Sequence, residues 1–150
     1  REEEEMKMIG TYTMKGRIPK DSNSNRILLD DGRFDTGYRV IDFIIAPTDP
    51  NNAAEDMNAK LTTEPTTLLG WSWDDNTQIA WAVSENRVTG SPVFGRSIID
   101  PDNLIIQDLF IQCENSGSGE VNYMVKLEKY DIREFQGALA MVRNKSQGAD

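Results

Sequence analysis

The 150-residue chain contains no histidine and a single cysteine. Without an imidazole there is no Ser-His-Asp or Cys-His catalysis, no His-ligated zinc or iron, and no His-based pH switch. One thiol, Cys113, can form neither an internal disulfide nor a Cys-only zinc site. Its setting, Leu109-Phe110-Ile111-Gln112-Cys113, reads as core, where a free thiol acts as a small hydrophobe. The lack of a disulfide framework points to assembly in a reducing compartment. Long apolar runs are missing as well, and none approaches the ~20 residues of a membrane-spanning helix. Positive charge is in deficit: 16 basic residues face 25 acidic ones, for a net charge of −9. A nucleic-acid binder needs a basic footprint, so no direct nucleic-acid binding is expected.

What is present is an ordinary balance for one globular domain, 38% hydrophobic and 27% charged. Arg1 to Glu5 precede Met6 and lack the basic-then-apolar order of a secretory signal. Their codons can all be purine-only, as a ribosome-binding region translated in frame would be. Residues 1–7 are therefore expected to be a disordered or non-native leader that carries no fold. Lys7, Lys15, Arg17, Lys20 and Arg26 gather near the start. They read as a solvated strand face or as a contact strip for an acidic protein partner.

Strand signals dominate the rest. In Tyr38 to Ala46 strict alternation sends Arg39, Ile41, Phe43 and Ile45 one way and Tyr38, Val40, Asp42 and Ile44 the other. Apolar groups on both faces suggest a strand within a sandwich or an assembly. In Thr77 to Ser84 the same rule sets Ile79, Trp81 and Val83 against Ala80 and Ala82. Val121, Tyr123, Val125 and Leu127 alternate with Asn122, Met124, Lys126 and Glu128, the clearest half-buried pattern in the chain. Asp100-Pro101-Asp102-Asn103 and Asn115 to Gly119 read as turns. Asp131 with Glu134, then Ile132, Phe135, Leu139 and Val142 at helical spacing, predict a C-terminal helix over 131–146. Short strands without βαβ alternation make the expected fold all-β: an antiparallel, jelly-roll-like β-sandwich of residues 8–147 with that single helix.

Candidate sites are few. The Asp30, Asp31, Asp35 and Asp100, Asp102 clusters do not match the calcium-loop spacing and read as turns. No cofactor, metal or catalytic residue is expected, and the chain reads as a non-enzyme. Either Trp71 and Trp73, with Tyr12 or Tyr38, form a sugar-stacking platform, or Trp81 is core and Trp71 and Trp73 cover the sandwich end or an intersubunit contact.

Two stretches carry a resemblance. One runs Lys15-Gly16-Arg17-Ile18-Pro19-Lys20-Asp21-Ser22 and then from Arg26 through Asp30-Asp31-Gly32-Arg33-Phe34-Asp35-Thr36-Gly37-Tyr38-Arg39-Val40. The other runs from Ile99-Asp100-Pro101-Asp102-Asn103-Leu104 to Lys129-Tyr130-Asp131-Ile132 and includes Gly137 to Gln147. Together they resemble small uncharacterised proteins of uncultured marine viruses, mostly tailed bacteriophages. The resemblance departs between Asp49 and Gly95. It implies a virion component assembled in the host cytoplasm, with itself and other virion proteins as partners, and carries over no functional residue. A capsid or decoration subunit is the first expectation, and a carbohydrate- or receptor-binding module the second. Association is expected through apolar and neutral surface, so that salt strengthens it or leaves it unchanged.

Overall fold

The computed structural model describes residues 7–27, 36–49, 55–86, 94–105 and 108–131. Eight strands occur among them: β1 (Lys7–Ile18), β2 (Ser22–Ile27), β3 (Thr36–Pro47), β4 (Glu55–Thr62), β5 (Gln78–Asn86), β6 (Phe94–Ile99), β7 (Leu109–Asn115) and β8 (Val121–Asp131). They form two antiparallel sheets, a small one in the order β1-β8-β3 and a large one in the order β2-β7-β4-β5-β6. The arrangement is nested: β1 pairs with β8, β2 with β7 and β4 with β5, while β3 packs against β6.

One core lies between the sheets. The small sheet contributes Ile18, Tyr38, Val40, Phe43, Ile45, Val121, Val125 and Leu127; the large sheet contributes Ile27, Met57, Ala59, Leu61, Ala80, Ala82, Leu109, Ile111 and Cys113. The half-buried pattern of β8 reads through to the structure: Val121, Val125 and Leu127 are buried, and Met124 and Lys126 are exposed. Tyr123 is only half-buried, its ring lying over Gly16 on β1, where an added Cβ would stand 3.0 Å from it.

Strict alternation fails in β3. A bulge between Val40 and Asp42 leaves Ile41 opposite no residue of β8. The extra residue switches the inward set, a known effect of a bulge. Tyr38 and Val40 therefore face the core before it, and Phe43 and Ile45 after it, while Ile41 and Ile44 are exposed. In β5 the small residues, not the large ones, turn inward: Ala80, Ala82 and Ser84 stand opposite Leu61, Ala59 and Met57. Trp81, opposite Lys60, lies on the outer side, and Ile79 reaches the core because the register slips between Leu61 and Thr62.

The exposed edge of β3 is sealed by side-chain mimicry of a strand. Asn103 accepts the Val40 N–H at 2.8 Å and donates to the Val40 carbonyl at 3.1 Å. Ile105 then exchanges both backbone bonds with Tyr38, at 2.7 and 2.8 Å. Below the β7–β8 turn, buried Glu55 accepts from Asn115 at 3.0 Å and from the Gly119 N–H at 3.2 Å. A Cβ on Gly117 would come within 2.5 Å of the Glu55 side chain, so only glycine fits there.

No helix occurs among the described residues. The expected helix lies outside them except for Asp131, which ends β8 opposite Lys7 and Thr36. Lys7, assigned to the leader from sequence, is the first residue of β1. Residues 1–6 and Asp30, Asp31 and Asp35 lie outside the described residues.

Candidate functional site

Residues 63–77 form a loop across the outer face of the large sheet. Its base is closed by the Thr63 N–H donating to the Thr77 carbonyl at 2.9 Å. Near its far end Asp75 accepts from both the N–H and the hydroxyl of Thr77. Gln78 joins loop to sheet, since its Oε1 accepts from the Ser72 N–H at 2.9 Å and from the Trp81 indole at 3.1 Å.

Lys60 is the pin under this loop. On β4 it faces outward but is fully covered. Its ammonium donates to the Leu68 carbonyl at 2.9 Å and to the Gly70 carbonyl. Burial pushes its pKa below the ordinary lysine value, and Asp75 and Glu114 pull partly the other way. The folded pKa lies below the unfolded one, so protonated Lys60 costs stability at neutral pH, and that cost falls as pH rises through the lowered value. Lys60→Met is expected to abolish this alkaline gain in melting temperature. It should also free the Leu68 and Gly70 carbonyls, loosening the loop and red-shifting tryptophan emission. An unchanged pH profile together with unchanged emission would show that Lys60 does not hold the loop.

The loop presents two tryptophans differently. Trp73 is 63% exposed and packs at a tilt on Trp81, with ring centroids 5.5 Å apart. Trp71 is half-buried and lines a cleft of about 230 Å³ with Asn58, Gly70, Val83 and Glu114. Two buried polar atoms at this cleft, Trp71 Nε1 and Asn58 Oδ1, have no hydrogen-bond partner.

Tyr12 and Tyr38 belong to the other sheet. Tyr38 is buried in the core side of β3, with the Lys129 ammonium 5.6 Å from its ring centroid. Tyr12 stands on β1 opposite Leu127 and is about half exposed. The structure thus keeps Trp71 and Trp73 on one loop with different neighbours and leaves both tyrosines on the other sheet.

A second surface lies on the outer face of the small sheet, which has no layer over it among the described residues. Lys15, Met124 and Ile44 form one row across its three strands, and Arg17, Asn122 and Ala46 the next. These rows line a shallow groove of about 500 Å³. Ile44 and Met124 form exposed apolar floor, and Arg17 pairs with Glu120 at 3.2 Å on the rim. The far edge of β1 carries no strand among the described residues. Alternation in β8 already marks Met124 as outward; Ile44 needed the β3 register.

Cys113 is fully buried, donates to the Pro19 carbonyl at 3.3 Å, and has its pKa raised chiefly by burial. Such a thiol is a core residue rather than a nucleophile. Asp100 accepts the Asp102 N–H at 3.0 Å, an ordinary turn contact. Among the described residues no three metal-ligating side chains gather, and no helix is long and apolar enough to cross a membrane. The fold and these surfaces define an antiparallel β-sandwich with an uncovered apolar patch on one side and a tryptophan loop on the other. Comparison with family models, curated proteins and solved structures finds no match to this chain.

Proposed function

We propose that this chain is a viral structural protein, a capsid or capsid-decoration subunit that works by self-assembly or by binding coat proteins in the virion. The observation that carries the reading is the uncovered face of the small sheet. Ile44 and Met124 are exposed side by side on β3 and β8, and β1 adds Met8, opposite Tyr130 on the same face and about half exposed. Exposed apolar residues grouped on one element mark an interaction surface. The nested pairing of β1 with β8, β2 with β7 and β4 with β5 supports a jelly roll, an architecture found among capsid proteins. The resemblance to phage proteins points the same way. On this reading the chain has no catalytic role, and assembly takes place in the host cytoplasm.

Size exclusion with light scattering is expected to give a mass that rises with concentration above that of one 16.9 kDa chain. The genes on either side are expected to encode portal, capsid or tail proteins. A monomer at high concentration, flanked by metabolic genes, would overturn the reading.

The second reading is a carbohydrate- or receptor-binding module, favoured by the unpartnered Trp71 Nε1 donor and Asn58 Oδ1 acceptor at one cleft. A sugar hydroxyl both donates and accepts, so it supplies the chemistry those two atoms lack. Saturable quenching of tryptophan emission by a glycan, in a protein that stays monomeric, would move this reading to first place.

A further inference from the structure

The two sheets share one core, so their outer faces point away from each other. Those faces differ in sign and in shape. The small sheet turns Lys15, Arg17, Arg39 and Lys126 outward with Asp42 and Glu128 among them and Glu120 paired to Arg17 at the rim, around the shallow Ile44–Met124 groove. The large sheet turns Asp56, Glu85 and Glu114 outward against Arg26, Arg96 and the covered Lys60, with Arg26 paired to Asp108 at 2.7 Å, so the negative sign of this side comes from the loop. Over it the loop raises exposed Trp73, followed at once by exposed Asp74 and Asp75. One side is therefore an apolar groove walled by two cations, and the other an aromatic knob flanked by two carboxylates.

We propose that these faces bind each other between copies of the chain: Trp73 of one copy enters the Ile44–Met124 groove of the next, and Asp74 and Asp75 meet Lys15 and Arg17. This rests on the assembly reading above and names both the partner, a second copy, and the order, head to tail. A buried tryptophan in a pocket is the kind of anchor that dominates interfaces. The Arg17–Glu120 pair is exposed on both sides, so it is weak and exchanges readily for a partner's carboxylate. Head-to-tail contacts use two different patches, so each copy can bind two others, and the product is a ring or a filament. The net charge of −9 does not oppose this at contact distance. Salt screens the long-range repulsion beyond about 8–10 Å, while the facing patches are opposite in sign. Salt is then expected to weaken assembly, the reverse of what the net charge alone implies.

The test uses two full-length variants that each lose one face. Lys15→Glu/Arg17→Glu loses the basic groove, and Trp73→Ala/Asp74→Lys loses the knob; circular dichroism and melting confirm that both fold. Each alone is expected to self-associate roughly tenfold or more weakly than the parent chain and to run as a monomer. Mixed, they are expected to form a capped one-to-one dimer, because each supplies the face the other lacks. A third variant, Asp74→Asn, alters charge without touching Trp73 and should weaken assembly while keeping the fold. If the parent assembles but the mixture stays monomeric, or either double variant alone still assembles fully, the head-to-tail interface is wrong while the assembly reading stands. If the parent chain is itself monomeric, both fall.

Discussion

Phe43→Ala is expected to lower the stability of this protein by about 3–5 kcal/mol, the usual cost of removing a buried aromatic. Phe43 is fully buried on β3, opposite Val125 of β8, and packs into the core between the sheets. No smaller residue nearby can fill the space without moving a strand, because the flanking positions belong to hydrogen-bonded ladders. For a chain of this length the loss corresponds to a fall in melting temperature of roughly 6–20 °C. The comparison that gives the measurement its force is Ile41→Ala. Uninterrupted alternation puts Ile41 on the same face as Phe43; the bulge puts it outside, 42% exposed. Ile41→Ala is therefore expected to cost about 1 kcal/mol or less. Equal losses from the two substitutions, read by thermal or denaturant unfolding, would show that β3 has no bulge and that its inward set is the alternating one.

Asn103→Ala is expected to cost about 2–5 kcal/mol, a large effect for a residue in a turn. Its carboxamide is buried and makes three bonds: from the Val40 N–H, to the Val40 carbonyl, and to the Asp100 carbonyl at 2.7 Å. Alanine keeps none of them. Val40 is itself buried, so its N–H and carbonyl would be left without water, at about 1–3 kcal/mol each. Asn103→Asp separates the two halves of the clamp. A carboxylate still accepts the Val40 N–H but faces the Val40 carbonyl with an oxygen. Protonation restores a donor, so the aspartate variant should regain stability relative to the parent chain as pH falls through the carboxyl's raised pKa. An alanine variant with the parent's melting temperature would mean that solvent, not Asn103, serves that edge of β3.

Much of the architecture can be read from local pattern. Period-two alternation is a property of neighbouring residues, so the inward set of β8 and the strand character of β3 and β5 are visible without any partner strand. Gly117 and Gly119 mark the β7–β8 turn, and Asp100 to Asn103 mark another, because turn residues act through their own backbone. Absences are equally local: with no histidine and one cysteine, whole chemistries are excluded at any fold. The all-β class and the sandwich follow from these together.

What the chain alone could not decide depends on partners distant in sequence. The bulge at Ile41 exists only as a mismatch with β8, and it, not alternation, sets which residues of β3 are core. Asn103 reads as a turn residue, yet it serves a strand 63 positions away. Trp81 is buried on the outside of a sheet, because a loop pinned by Lys60 lies over it, and a lysine under a loop gives no periodic signal. Tyr38 and Tyr12 look equivalent to Trp71 and Trp73 as aromatic candidates until pairing places them on the other sheet. The separation of charge onto two opposite faces is likewise invisible in a net value of −9, which sums over surfaces that only folding sets apart. Local sequence determines which residues alternate and where the chain turns; pairing and layering, which join residues far apart in the chain, decide what is covered and what is left to bind.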